Sequence, residues 1–261
     1  MPEAMVSYKN KFAFSLAVPS WLFAGSYLEN VSRVAPFVDG VELLFFEGAQ
    51  SSLPDDATLS GLKRLKEEHG LSFNIHMPTD LSLSSFKKSQ RQKAVDEHLR
   101  LMEMVAELDP VTPTIHLACE KKGEEKRWVD AAGEGLFKLA SHWDPTAFTV
   151  ETLDTDLRQL APAISSLGFF VCLDLGHLIH FGLPVEETIK AFFSRCRMVH
   201  LHGVAGGKDH RSLLEMEKVQ LERLLPFLKE YTHTLSVEIF KADPCFDSIK
   251  LLLQSIENFS L

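Results

Sequence analysis

Residues Phe169–His177 read FFVCLDLGH. An unbroken apolar run that ends on a carboxylate predicts a strand, Phe169–Asp174, buried on both faces. Upstream, Asp156–Ser166 reads as a helix, and Gly168 stands where that helix should end. Downstream, Pro184–Phe193 reads as the next helix. One strand–helix unit is therefore visible, with Asp174 at the strand's mouth and His177 in the turn beyond it.

The same unit recurs in both directions. Strands are expected at Lys11–Ala17, Gly40–Phe46, Leu71–His76, Val111–Leu117, Ala147–Glu151, Arg197–Leu201 and Thr234–Phe240. Helices are expected at Thr58–Glu68, Lys88–Glu107, Glu125–Ala140, Leu214–Glu230 and Pro244–Glu257, with apolar residues at spacings of three and four. Asp55 and Asp56 give the second helix a start, Asp243-Pro244 the last one, and Gly70 a stop. Eight strand–helix units in 261 residues predict an α/β fold of one domain, a (β/α)8 TIM barrel. An open dinucleotide-binding sheet is disfavoured, because no GxGxxG follows the first strand. Residues 1–10 read as an N-terminal extension and residues 11–261 as the barrel.

The N-terminus, MPEAMVSYKNK, lacks the apolar stretch of a secretory signal. No run approaches the ~18 apolar residues of a membrane span. The four cysteines are scattered and form no CxxC pair, which suits reduced thiols in a cytoplasmic protein. The net charge of −9 argues against a general nucleic-acid binder, whose affinity rests on clustered Lys and Arg.

In such a barrel the functional side chains project from the C-terminal ends of the strands. Those ends carry Glu47, His76, His116, Glu151, Asp174, His200 and Glu238, and the last six recur about every 32 residues. One rim would gather three imidazoles and three carboxylates. Imidazole nitrogens and carboxylate oxygens suit zinc, manganese or iron, and a cation offsets the repulsion of converging carboxylates. His177 adds a fourth imidazole. After the seventh strand, His200 and His202 share a face by the two-residue period, and the glycine-rich GVAGG lets Asp209 and His210 return to the rim. Lys208 and Arg211 are candidate phosphate contacts or a solvated pair. Glu42 lies inside the second strand, either as a partner of the site or in a structural ion pair. His69, His98, His142 and His233 are expected to be solvated on the far side of the units.

Taken together, HMP, IHL, VETL, LDLGH, HLHG…DH and VEIF resemble the xylose-isomerase-like barrel superfamily, and most of all its endonuclease IV-type apurinic/apyrimidinic endonucleases. The resemblance runs from about Lys11 to Glu257. It implies up to three divalent ions. His76, His116 and Glu151 would hold one. Glu151, Asp174, His200 and Glu238 would hold the second, with Glu151 bridging. His177, Asp209 and His210 would hold the third. One departure stands out: the endonucleases carry Asp-x-His, whereas Asp209 and His210 are adjacent and point apart unless the backbone turns. His202 stands where the endonucleases carry an amide, so it would touch substrate or substitute as a ligand.

A cluster of this kind suits hydrolysis of a phosphodiester, with water activated to hydroxide by one ion, Glu151 beside the attacking oxygen, and the other ions on the phosphate oxygens. DNA is disfavoured, because the loops after strands two and five, EGAQSSLPDD and TLDTD, are acidic. A smaller diester is expected, and HLHG…KDHRSL is similar to the cobamide-remodelling phosphodiesterases, which implies the nucleotide loop of a corrinoid. Trp21, Leu22, Phe23, Phe45 and Phe46 would either cover such a flat ligand or belong to the core. The competing readings are a single-metal sugar isomerase or epimerase, an abasic-site endonuclease and an inactive ligand-binding barrel.

Overall fold

The computed structural model describes residues 6–259. Eight parallel strands close into a barrel: β1 (Ser15–Pro19), β2 (Gly40–Leu44), β3 (Ser72–His76), β4 (Pro113–Ile115), β5 (Thr149–Glu151), β6 (Phe170–Asp174), β7 (Cys196–Leu201) and β10 (Thr234–Val237). Around the barrel the order is β1-β10-β7-β6-β5-β4-β3-β2, so neighbours in sequence are neighbours in space. The fold is a single-domain (β/α)8 TIM barrel. A short antiparallel hairpin, β8 (Gly203–Ala205) with β9 (Lys208–Arg211), stands on the rim after β7.

The outer ring comprises α1 (Tyr27–Val34), α2 (Asp56–His69), α3 (Lys88–Val105), α4 (Glu125–Ala140), α5 (Ala161–Leu167), α7 (Val185–Phe192), α8 (Lys218–Glu230) and α9 (Ala242–Asn258), while α6 (Leu175–His180) is a short helix directly above β6. Local chemistry sets several of their ends. Asp55 accepts the Thr58 N–H at 2.8 Å as the cap of α2, a contact of about 1 kcal/mol. Gly70 ends that helix at φ +60° and Gly168 ends α5 at φ +92°, a conformation that costs a residue with a Cβ. α1, absent from the expected helices, opens on a capping box of Ser26 with Glu29. The last helix begins at Ala242 rather than at the expected Asp243-Pro244. Pro244 lies in the first turn, where its missing N–H costs nothing.

The first strand lies four residues later than expected at its start, at Ser15 instead of Lys11. Phe12 and Phe14 stack on each other at 4.7 Å beneath the barrel instead of joining the ladder. Residues 1–5 of the expected extension lie outside the described residues. Of the remainder, Tyr8 is buried against Phe246 and donates its N–H to Phe37 O at 2.8 Å.

Candidate metal centre

Side chains on a strand alternate between faces, so the residues two positions apart on each barrel strand look inward together. The rim layer holds His76, His116, Glu151, Asp174, His200 and Glu238, all buried. Two positions earlier on the same segments stand Asn74, Thr114, Thr149, Cys172, Met198 and Ser236, also buried. That lower layer is tied by Thr114 to Thr149 at 2.9 Å and by Thr112 to Asn74 at 2.6 Å. The rim groups therefore stand on a packed, partly polar floor.

Glu151 sits at the middle of the cluster, and its two oxygens face different neighbours. Oε2 lies 2.8 Å from His116 Nε2 and 4.0 Å from His76 Nε2. Oε1 lies 3.3 Å from His177 Nδ1 and 3.6 Å from His200 Nδ1. His200 Nδ1 is also 3.3 Å from Glu238 Oε2 and 3.8 Å from Asp174 Oδ2. On its other edge, His200 Nε2 meets Glu42 Oε1 at 2.9 Å, and both side chains are fully buried. A carboxylate there fixes a proton on Nε2, so Nδ1 is the nitrogen turned toward the three carboxylates.

The LDLGH motif works through a helix cap. Asp174 Oδ1 accepts the His177 N–H at 2.7 Å and so starts α6, which turns the His177 ring back over its own cap, Nδ1 lying 3.0 Å from Asp174 Oδ2. Gly176 has to be glycine, because a Cβ there would come within 2.2 Å of the His202 ring. His202 is fully buried, with Nε2 3.2 Å from Asp174 Oδ1. Its Nδ1 accepts the His210 backbone N–H at 2.9 Å.

The hairpin resolves the adjacency of Asp209 and His210. Gly206 and Gly207 turn the chain at φ +59° and +71°, as expected of that glycine pair. The decisive residue is His210 itself, at φ +48° within a register shift between β8 and β9. An extra residue on β9 kinks the strand, so the two side chains converge instead of alternating. Asp209 Oδ2 comes within 3.8 Å of His177 Nε2, and the His210 ring lies 5.4 Å from that of His177 and 4.1 Å from that of His202.

Four sets of donor atoms lie within 4.8 Å of one another: His76, His116 and Glu151; Glu151, Asp174 and His177; Asp174, His202 and Glu238; His177, His202 and His210. Neither Asp209 nor His200 is in any of them, whereas His202 is in two. The electrostatics are those of buried carboxylates and imidazoles crowded together. Burial works to raise the Glu151 carboxyl, but the charges of His116 and His200 outweigh it and hold it well below the usual range. Burial, opposed by His200 and reinforced by Glu42, Glu151 and Asp174, pushes Glu238 well above it. His177 is driven up to about 12: burial opposes this, but Asp174 and Glu151 prevail. His76 is held down to about 3 by burial and by His116. Glu151 Oε2, Asp174 Oδ2, Glu238 Oε2, His177 Nδ1 and His200 Nδ1 are buried without a hydrogen-bond partner of good geometry. Buried polar atoms left so are costly, and this many facing one point suit divalent cations of the N/O-preferring kind.

Other sequence-derived expectations end differently. Glu47 is exposed and receives only the Ser52 hydroxyl at 3.3 Å, so it stays outside the cluster. Arg211 is engaged by Glu215 at 2.8 Å, whereas Lys208 is exposed. His98 is buried rather than solvated: its Nδ1 donates to Ala94 O at 2.6 Å on the inner face of α3. His142 and His233 are exposed, and His69 is half-buried. Leu22 and Phe45 belong to the core, whereas Trp21 and Phe46 are exposed at the rim. Glu42 is the group whose role the sequence left open; its signal was a lone carboxylate in an apolar strand at an inward position.

Similar architecture occurs in solved structures. A D-tagatose 3-epimerase-like protein is 17% identical over 94% of this chain and 97% of its own, with a TM-score of 0.76. Endonuclease IV from Thermus thermophilus is 16% identical over 94% and 100%, with a TM-score of 0.69. D-allulose 3-epimerase from Methylomonas sp., solved in complex with D-allulose, is 13% identical over 97% and 100%, with a TM-score of 0.71. At these identities the likeness is one of fold. No curated protein matches in sequence. The family model for the xylose isomerase-like TIM barrel matches residues 38–259, and this chain belongs to that family.

Proposed function

We propose that this protein is a metal-dependent phosphodiesterase acting on a small, non-DNA diester. The observation that carries the reading is the division of Glu151, whose Oε2 faces His116 and His76 while Oε1 faces His177 and His200. A single-ion site needs only Glu151, Asp174, His200 and Glu238. The pair His76 and His116 is surplus to that set and close enough to Glu151 to form a second one. His76, His116 and Glu151 would hold one ion. Glu151, Asp174, His200 and Glu238 would hold the next, and His177 with His210, and Asp209 beside them, a third. Zinc, manganese and iron all suit these donors.

Bound divalent ions supply Lewis acidity for activating water and clamping phosphate oxygens. The chain's own residues do the rest. Glu42 orients His200 through Nε2 and keeps its Nδ1 free to ligate. Glu151, buried and held ionised by its histidines, would belong to both sets and take the place beside the attacking water. His202 would stand beside the centre without ligating: its Nδ1 accepts the His210 N–H, so the proton sits on Nε2, 3.2 Å from Asp174 Oδ1. Asp174 then presents Oδ2 to the centre. Lys208 would meet the phosphate from β9, and Arg211 could do so only by leaving Glu215. The acidic loops after β2 and β5 argue against a polymer of phosphates, and the nucleotide loop of a corrinoid is the small diester that the sequence resemblance suggests.

The runner-up is a single-metal sugar epimerase, for which Glu151, Asp174, His200 and Glu238 alone would suffice, with His200 Nδ1 3.3 to 3.8 Å from the three carboxylates. Metal content per chain after anaerobic purification separates the two. More than one ion per chain is expected, with loss of one in His76→Ala and His116→Ala. A single ion that both variants retain would overturn the proposal. Hydrolysis assayed with adenosylated cobamides, abasic DNA and bis-aryl phosphates should be confined to the small diesters and vanish in Glu151→Gln.

A further inference from the structure

Three rings from three separate strand-end segments line one side of the centre. Trp21, after β1, meets Phe46, after β2, edge to face at 6.0 Å and 87°. Phe46 meets Phe240, after β10, at 6.3 Å and 73°. Phe240 then lies 4.8 Å from the ring of His210. The row runs from open solvent into the centre itself. Its outer members are strongly exposed, Trp21 at 51% and Phe46 at 41%. On the opposite side, Phe181, 44% exposed, lies 5.9 Å from His177. Large apolar rings exposed at the mouth of a polar, buried centre are not core residues, and the row reaches the cluster through Phe240 and His210.

The surrounding charge specifies the other half of the ligand. Lys241 follows Phe240 directly and is exposed, as is Lys208 on β9. Each adjoins in sequence a residue beside the centre, Lys241 next to Phe240 and Lys208 next to Asp209, whereas the loops after β2 and β5 are acidic. An anionic group at the centre with a flat apolar group against the row satisfies both features, and a polyanion does not.

We infer that the row Trp21–Phe46–Phe240 is a binding subsite for a planar aromatic group attached to the phosphate ester. This rests on the phosphoester reading above and deepens it by naming the class of group that the ester carries. An aliphatic ester of the same charge would reach the centre but gain none of the ring–ring contact.

Calorimetric titration of the metal-loaded chain with two product-like probes, phenyl phosphate and butyl phosphate, tests it. Phenyl phosphate should bind about tenfold more tightly. The double variant Trp21→Ala/Phe46→Ala should abolish most of that preference while leaving the butyl phosphate Kd within about twofold, since both side chains are exposed and neither supports the core. Trp21→Phe, which keeps a ring, should retain most of the preference. Equal affinity for the two probes in the unaltered chain, or a preference that survives the double variant, would overturn the subsite. Hydrolysis of bis(4-nitrophenyl) phosphate in the same samples keeps the two ideas apart. An aryl preference without any hydrolysis upholds the subsite and removes the hydrolase reading; hydrolysis without an aryl preference removes the subsite alone.

Discussion

Glu42 and His200 form a buried pair whose geometry decides which nitrogen faces the cluster. A carboxylate at 2.9 Å from Nε2 is an acceptor only, so the imidazole must carry its proton there. Replacing it with an amide removes that constraint, because the amide can donate as well as accept. Glu42→Gln is expected to weaken divalent-ion affinity by about 10- to 100-fold, measured by competition with a chelator of known strength. An unchanged affinity would mean that the tautomer is set elsewhere. His202 makes the opposite case. His202→Gln, which can place a donor near the position of Nε2, should preserve the number of ions bound per chain, whereas a true ligand's loss would reduce it.

At the scale of elements, α6 and the β8–β9 hairpin are built against each other. α6 starts on Asp174, and its second residue is glycine because the His202 ring occupies the space where a Cβ would stand, 2.2 Å away. Gly176→Ala should therefore destabilise the chain by about 1–3 kcal/mol despite alanine's better helix propensity, seen as a lower denaturation midpoint at unchanged slope. Combining it with His202→Ala should cost less than the sum of the two single changes, since the clash disappears with the ring. Additive costs would show that Gly176 is constrained by something else. The hairpin's other feature, His210 at φ +48°, stores roughly 1 kcal/mol or more of backbone strain, and that bend brings Asp209 and His210 to one side.

For the whole molecule, stability should depend on pH through His98 as well as through the centre. Burial holds His98 down to about 4, against an ordinary value of 6.5. The unfolded chain therefore takes up this proton first as pH falls, so native stability is full above about 6.5 and declines toward pH 4. The total is at most about 3 kcal/mol for this one group. His98→Phe should flatten the urea stability profile in that window; an unchanged slope would place the proton uptake elsewhere. Chelation should lower the melting temperature as well, and re-addition of zinc or manganese should restore it progressively, with the logarithm of free-ion concentration once that exceeds Kd, because ligand binding to the native state alone is stabilising. No helix among the described residues is long and apolar enough to cross a membrane.

The barrel was legible because the strand–helix period is written locally. Apolar runs such as Phe169–Asp174 and stops such as Gly70 and Gly168 need no tertiary information to be read. The rim residues were legible for the same reason: a strand's end is a position in sequence, and His76, Glu151 and Asp174 close β3, β5 and β6. Three things required the fold. Glu42 and His200 are 158 residues apart, and only closure of the barrel brings them to 2.9 Å. The convergence of Asp209 with His210 depends on one positive φ that residue type does not announce. The aromatic row joins three segments, after β1, β2 and β10, that share nothing in sequence. Periodicity reports which face a residue takes along its own segment. Which residues meet across the barrel is decided by strand order and register, and these exist only once the sheet has closed.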